Sequence, residues 1–268
     1  MTPRQPGWNS SRPVSTLTRL GDHEIRGAQL SASPNLFSFR KRGFFVALLP
    51  SFSPSERPPM RSRFELRCRD CGKDWGNQPR SACEDCFAPL EVFYDFDSFR
   101  GLTRQTIEQR PQNMWRYAEL LPLPEGYKSD LPVGFTPLIP APRLASELGG
   151  GQIFLKNDAV CLPTLSFKDR VVAVALAQAR HFGFEVVSCS STGNLANAVA
   201  AQAARSGLKA YVFIPADLEP AKILGTQIYG AQIVPVAGNY DQVNRLCSQI
   251  ADRHHWGFVN VNLRPYYA

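Results

Sequence analysis

The 268-residue chain is long enough for one large domain or two modest ones with a sizeable core. Hydrophobic residues make up 44% and charged residues 20% of it, as is typical of a globular protein, and no apolar run reaches the roughly 18 residues of a membrane-spanning helix. The net charge is +7, and residues 1–60 carry eight Arg and Lys against three Asp and Glu. Residues 61–268 are therefore close to neutral, which argues against nucleic-acid binding by this part of the chain.

Residues 1–60 are rich in Arg, Ser and Pro and have no sustained hydrophobic period, so we expect them to be disordered and dispensable for stability. Two interpretations are open for this leader. It is either an organellar transit peptide or sequence that precedes the natural start. We favour the second, because Met60 directly precedes the first organised segment.

A compact cysteine module is predicted over residues 64–96. Cys68 and Cys71 form one CxxC pair and Cys83 and Cys86 a second, with eleven residues between the pairs. Two such pairs can present four thiolates in a tetrahedron, so the spacing predicts a structural zinc site of the zinc-ribbon type. A redox CxxC would not come in pairs, and a module that has lost its metal is the remaining alternative. The other three cysteines are scattered, which indicates a reducing, cytoplasmic location.

Residues 97–268 are predicted to form an α/β domain with a parallel sheet and flanking helices. Residues 97–150 connect the module to it, with a helix near 112–121, and regular alternation begins at 152. Short strands separated by longer helices favour right-handed crossovers. We predict strands at 152–156, 185–189, 210–214, 232–235 and 257–260, and helices at 166–182, 194–206, 220–229 and 240–255.

Lys168 opens the first of these helices, which then becomes almost wholly apolar over residues 171–179. A cation at a helix N-terminus faces the positive end of the macrodipole, and an apolar surround further disfavours the ammonium form. Both effects favour the neutral amine that a Schiff-base nucleophile requires.

A second candidate site follows the strand that ends at Cys189. Residues 190–194, Ser-Ser-Thr-Gly-Asn, open the next helix and offer hydroxyl and backbone N–H donors at its positive end. Both helix starts are expected at the carboxyl edge of one parallel sheet, where α/β folds bind ligands.

These motifs carry a resemblance to a known family. The segment 166–170 (Ser-Phe-Lys-Asp-Arg), followed about one βα unit later by 191–194 (Ser-Thr-Gly-Asn), resembles the fold-type II enzymes that depend on pyridoxal phosphate (PLP), the tryptophan synthase beta-like group. Within that group the chain resembles the threonine synthases. Segments 90–95, 115–117 and 135–138 (Phe-Thr-Pro-Leu, where the family has Asn-Thr-Pro-Leu) agree with this, and the resemblance covers roughly residues 64–268.

The resemblance implies a role for each matching residue. Lys168 would hold PLP as a Schiff base and move protons, with Phe167 packed beside the cofactor. Asn194 would hydrogen-bond the 3′ oxygen of the pyridine ring. The substrate carboxylate would be bound by Ser191, Thr192 and Gly193. Two positions depart from the family: Leu165 stands where many members have glycine, and Leu195 where many threonine synthases have threonine.

The implied activity is that of a PLP-dependent lyase, which converts O-phospho-L-homoserine and water to L-threonine and phosphate. We expect a small-molecule substrate, no nucleic-acid or membrane partner, and a homodimer when the enzyme is complete. The glycine-rich loop that holds the cofactor phosphate in the family is expected beyond Ala268, so the chain is interpreted as an N-terminal part. Another fold-type II enzyme acting on a different amino acid is an alternative. A zinc-ribbon binding module fused to an inactive α/β remnant is a second one.

Overall fold

The computed structural model of the protein describes residues 63–127, 129 and 131–268, apart from the side chains of 220–222. All of them fall within one unit, Glu56–Ala268. The expectations for residues 1–60 therefore concern residues outside the described part of the chain.

The four clustered cysteines lie in a three-stranded antiparallel sheet. Its strands are β1 (Phe64–Cys68), β2 (Asp74–Gly76) and β3 (Leu90–Tyr94), in the order β2-β1-β3. Side chains alternate along β1, so that Phe64, Leu66 and Cys68 are buried while Glu65 and Arg67 face outward. This alternation gives the small sheet one apolar face.

The connecting region contains short helical pieces: a 3-10 helix at Phe96–Phe99, α1 (Arg104–Glu108) and a 3-10 helix at Met114–Leu120. The helix predicted near 112–121 is thus a 3-10 helix, which Tyr117 interrupts with φ −102° and ψ 27°. The buried Arg116 fixes this region, because its Nη2 donates to the carbonyl oxygens of Ile107 and Glu108 at 2.8 and 2.9 Å.

The strand predicted at 152–156 is not part of the parallel sheet. It forms β5 (Phe154–Lys156), which pairs antiparallel with β4 (Leu138–Pro140) in a separate two-stranded ribbon. Between them lies α2 (Pro142–Glu147), which is too short for the crossover that parallel pairing requires. Gly149, Gly150 and Gly151 all have positive φ and reverse the chain after α2, as expected of a helix C-terminus.

The predicted α/β body with a parallel sheet is confirmed for the remaining strands. They run parallel in the order β8-β7-β6-β9, with helices in the intervening connections. The strands are β6 (Val186–Ser190), β7 (Lys209–Pro215), β8 (Gln232–Val236) and β9 (Gly257–Phe258). The helices are α3 (Lys168–His181), α4 (Asn194–Ser206), α5 (Pro220–Gln227), α6 (Tyr240–Arg253) and α7 (Arg264–Tyr267).

The middle of helix α3, residues 172–179, is buried on every side, and apart from Gln178 it is apolar. Val172 and Ala175 belong to a core cluster that includes α4 and the inward face of the small sheet, with Phe64 and Leu66. Ala173, Val174 and Ala177, on another side, pack into a second cluster with Met114, Leu123 and Val133. The small sheet and the α/β body therefore share one core, and Lys168 begins a helix that is held rigidly.

Among the described residues, no helix combines the length and the apolar character that crossing a membrane would require.

Candidate active site

Two helices begin at the carboxyl edge of the parallel sheet. Helix α3 leads into β6 and α4 leaves it, so that the N-terminal ends of both point toward this edge. The first turn of α3 packs against the third turn of α4, where Gln202 Nε2 donates to the carbonyl oxygen of Asp169 at 2.8 Å. Gln202 lies eight residues from Asn194, which is about 12 Å along the helix axis. The two predicted sites therefore share an edge without direct contact.

Lys168 is half-buried, and aromatic groups surround its amine. Its Nζ lies 4.9 Å from the ring centroid of Phe167 and 4.8 Å from that of Tyr267, and it donates a hydrogen bond to the Tyr267 hydroxyl. The expectation of a plain apolar surround is thus wrong, because ring faces and a hydroxyl oxygen are both favourable partners for an ammonium group. Sequence patterns did not indicate Tyr267, which lies 99 residues further along the chain.

The loop before α3 is held by a buried carboxylate. Asp169 is fully buried, and its two oxygens accept hydrogen bonds from the Thr164 N–H and hydroxyl, each at 2.9 Å. Burial raises the pKa of Asp169, while the bonds from Thr164 act in the opposite direction. Between them Leu165 adopts φ +60°, in the left-handed region that favours glycine. This position is the one at which the sequence departs from the family's glycine.

The N-terminus of α4 has no side-chain cap. Gly193 is its N-cap residue, with φ −148° and ψ −142°, and its own N–H lies 3.4 Å from Ser191 Oγ. In the part of the chain that the structure describes, the side chains of Thr192 and Asn194 have no hydrogen-bond partner. The first backbone N–H groups of α4 and these side chains are thus available to an anionic ligand.

The strand end before this turn and the next turn of α4 form hydrogen bonds with neighbouring elements. Asn260 Nδ2 donates to Ser190 Oγ at 2.8 Å, and Tyr240 donates its hydroxyl proton to the Ser190 carbonyl at 3.1 Å. One turn into α4, Asn197 Oδ1 accepts from the Thr226 hydroxyl at 2.7 Å. The strand end from which the turn starts is therefore held by hydrogen bonds. The side-chain oxygen of Asn197 is already used by a hydrogen bond within the protein.

A second polar network connects the segment 135–138 with α3. Arg170 donates from both terminal nitrogens to the carboxylate of Asp158, at 2.8 Å each, and to the Thr136 hydroxyl at 2.9 Å. That hydroxyl donates to Asp158 Oδ1 at 2.7 Å. The hydrogen bonds from Arg170 are the main reason that the pKa of Asp158 falls to about 2. Thr136 and Arg170 both lie within motifs of the family resemblance. No sequence signal indicated that Asp158 binds them.

The four clustered cysteines converge on one point. Their sulfur atoms all lie within 4.8 Å of one another, with 3.4 Å between the sulfurs of Cys68 and Cys86 and 3.7 Å between those of Cys71 and Cys83. Zinc–sulfur bonds of about 2.3 Å in a tetrahedron place sulfurs roughly 3.8 Å apart, so the cluster has the dimensions of a zinc site. The Cys71 N–H also lies 3.5 Å from Cys68 Sγ, as expected of a metal-binding CxxC turn.

The family model for pyridoxal-phosphate dependent enzymes matches residues 130–268 of the chain. This range contains the parallel sheet, Lys168 and the turn at 191–194. It does not include the cysteine module.

Curated threonine synthases are similar in sequence. The protein from Methanocaldococcus jannaschii is 35% identical over 188 residues, which cover 69% of this chain and 46% of the relative. That from Methanosarcina acetivorans is 32% identical over 192 residues, covering 69% and 47%. That from Synechocystis is 40% identical over 135 residues, covering 50% and 35%. The chain spans about half the length of the curated relatives it matches.

Solved structures match part of the chain. The apo form of Escherichia coli diaminopropionate ammonia lyase is 22% identical, with a TM-score of 0.44 over 54% of this chain and 45% of that one. A likeness of this extent adds nothing to the assignment of individual residues.

Proposed function

Because the chain belongs to the family of pyridoxal-phosphate dependent enzymes, we propose that its residues form part of a threonine synthase. This enzyme would convert O-phospho-L-homoserine and water to L-threonine and phosphate. Identities of 32%, 35% and 40% to curated threonine synthases support the proposal. Since the chain covers about half of these relatives, the activity is proposed for the protein to which these residues belong.

The observation that carries the proposal is the position of Lys168. It is the first residue of a rigid buried helix, its amine is within reach of solvent, and the open N-terminus of α4 lies at the same edge of the sheet. An accessible lysine amine and a separate set of anion donors are what an aldehyde cofactor and an amino-acid substrate require. The described residues therefore fit PLP.

In this proposal Lys168 holds the cofactor covalently through Nζ and moves protons at the substrate. Phe167 packs beside the ring, and the free amide of Asn194 donates to the 3′ oxygen. PLP, when bound, supplies an electron sink for the negative charge that develops on the substrate carbon. The protein's own part is to orient the reacting groups and to hold a proton at Lys168 Nζ.

Substrate binding is proposed for the turn that opens α4. The hydroxyls of Ser191 and Thr192 and the backbone N–H of Gly193 would take the substrate carboxylate, because the uncapped helix end offers donors and positive potential together. Leu195 is nine-tenths buried in this first turn and offers no hydroxyl where many threonine synthases carry threonine.

A structural zinc ion bound by Cys68, Cys71, Cys83 and Cys86 is part of the proposal. The dimensions of the sulfur cluster support it, and four protein ligands leave no open position for catalysis. We also propose the division into a zinc-ribbon-like module at 64–96 and part of a catalytic domain at 97–268.

A cytoplasmic location is supported by the seven cysteines, which are all free of disulfides. The proposed homodimer is supported by the apolar side chains that the β4–β5 ribbon exposes, among them Leu138, Phe154 and Leu155.

The substrate assignment can be tested on the complete protein to which these residues belong, loaded with PLP, with a panel of amino acids. O-phospho-L-homoserine should change the near-visible absorption and release phosphate, while O-phospho-L-serine, one methylene shorter, should release phosphate far more slowly. Lys168→Ala should abolish both responses. A spectral response to other amino acids with none to O-phospho-L-homoserine would favour a different fold-type II enzyme and contradict a threonine synthase.

A further inference from the structure

We propose that Tyr267 is a positioning residue for the Lys168 amine, and that the cysteine module holds Tyr267 in place through its neighbour Tyr266. The functional meaning of this coupling rests on the role proposed above for Lys168. The contacts themselves stand on the geometry of α7.

The first contact joins α7 to the start of α3. The Tyr267 hydroxyl accepts from Lys168 Nζ, and its ring centroid lies 4.8 Å from the same atom. The centroid of the Phe167 ring lies 4.9 Å from the same atom, and the two rings together limit the directions that the amine can take. An unrestrained lysine side chain samples many rotamers, so such confinement decides where the amine points.

The second contact joins α7 to the cysteine module. Tyr266 is 3% exposed, and its hydroxyl accepts from the Gln78 N–H at 3.0 Å. The same hydroxyl can donate to Asn77 Oδ1 at 2.7 Å or to the Gln78 carbonyl at 2.8 Å. Asn77 and Gln78 lie between β2 and the second cysteine pair, so the Tyr266 hydroxyl is hydrogen-bonded directly to the cysteine module.

The ring of Tyr266 also packs against aromatic residues of the core. Its centroid lies 6.4 Å from that of Phe64 on β1 and 5.7 Å from that of Phe182 at the end of α3. Tyr266 is therefore wedged between the small sheet and the α/β body, with its polar tip satisfied by the module.

The two tyrosines are adjacent in a four-residue helix, so a displacement of the backbone at one shifts the other. If the segment at 77–78 shifts, Tyr266 loses its hydrogen bonds and α7 can rotate. Tyr267 then leaves Lys168. The four-sulfur cluster and the amine are thus connected through 77–78, Tyr266 and Tyr267, although no cysteine touches Lys168.

Competitive acetylation followed by mass spectrometry of peptides tests this in the full chain without added PLP. Tyr267→Phe removes the hydroxyl that restrains the Lys168 ammonium, so labelling at Lys168 should rise about threefold or more. Tyr266→Phe should raise it in the same direction without touching Lys168. Asn77→Ala gives a second route to the same effect, in case either tyrosine variant folds poorly.

Two controls separate positioning from general loosening. Lys156 Nζ donates to the Thr136 carbonyl, so unfolding would raise its labelling, whereas the proposed coupling leaves it unchanged. Tyr94→Phe alters another tyrosine whose ring contacts Phe64, and it should leave Lys168 unchanged.

Unchanged labelling of Lys168 in Tyr267→Phe would overturn the positioning role. A rise in Tyr267→Phe with none in Tyr266→Phe and Asn77→Ala would overturn the connection to the module. Because the readout needs neither PLP nor substrate, either failure is distinguishable from a failure of the proposed function.

Discussion

Asp169 receives both the backbone N–H and the hydroxyl of Thr164, and this pair of hydrogen bonds closes the loop from which Lys168 emerges. Lys168 and Asp169 are adjacent, but one side chain reaches toward α7 while the other is fully buried. Asp169 thus holds the loop that leads into α3, while Tyr267 contacts the amine of its neighbour.

Replacing Asp169 with Asn should destabilise the protein by about 1–3 kcal/mol. The amide oxygen can accept only one of the two hydrogen bonds from Thr164, and the amide NH2 group would face the other Thr164 donor. Thermal or urea unfolding measures the change. Asp97→Asn is the matched control, since Asp97 forms an exposed ion pair with Arg100 that contributes less than about 1 kcal/mol. Equal stability of the two variants would show that the Asp169 bonds do not hold the loop.

The Asp158–Arg170 ion pair should make stability depend on pH in the acid range. The pKa of Asp158 is about 2 in the folded protein and near 3.8 without its partners, so its contribution is present above pH 4 and lost as pH falls from about 4 to 2. The carboxylate is one-third exposed, and solvent screening limits the contribution to about 1 kcal/mol.

Unfolding experiments between pH 2 and 6 on the wild type and on Asp158→Asn isolate this effect. The variant should be less stable at pH 6, and its difference from the wild type should shrink toward pH 2. A difference that stays constant across this range would exclude the ion pair as its source.

Leu165→Gly should leave stability unchanged or raise it by up to about 1 kcal/mol. Relief of the left-handed conformation is worth roughly 1–2 kcal/mol, against an entropic cost of about 0.5–1 kcal/mol for glycine. Leu165 is 60% exposed, so little burial is lost. Leu224 is 61% exposed within α5, and Leu224→Gly should cost about 1 kcal/mol. Equal losses in the two variants would mean that Leu165 is not strained.

Metal analysis of the purified protein should find about one zinc per chain, because the four sulfurs already have tetrahedral spacing. Cys71→Ser should lose the metal, whereas Cys247→Ser, at a buried position within α6, should keep it. Absence of zinc with all four module thiols reactive would refute the site.

Local sequence signals predicted the helices and strands of the α/β body well. The bounds 194–206 for α4 match the structure, since glycine at both ends and an apolar face define that helix locally. The β4–β5 ribbon was missed because its pairing depends on where the chain returns after α2, which a strand pattern at 152–156 does not encode.

Two positions that depart from the family motif have a backbone conformation that is unfavourable for the residues they carry. Phe135 and Leu165 both have positive φ, and they stand where the family has Asn and Gly, the residues that tolerate this region best. The motif predicted the location of the candidate site but not the partners of Lys168. Tyr267 reaches that amine only because Tyr266 is anchored in a core shared with the cysteine module.

The role of Lys168 is tested most directly by identifying the lysine that carries PLP. The protein is incubated with PLP, reduced with borohydride and digested, and the modified peptide is identified by mass spectrometry. We predict the label on Lys168, its loss in Lys168→Ala, and its retention in Lys156→Ala and in Asn194→Ala. A label on Lys156 or on any other lysine, with Lys168 unmodified, would contradict the proposed active site.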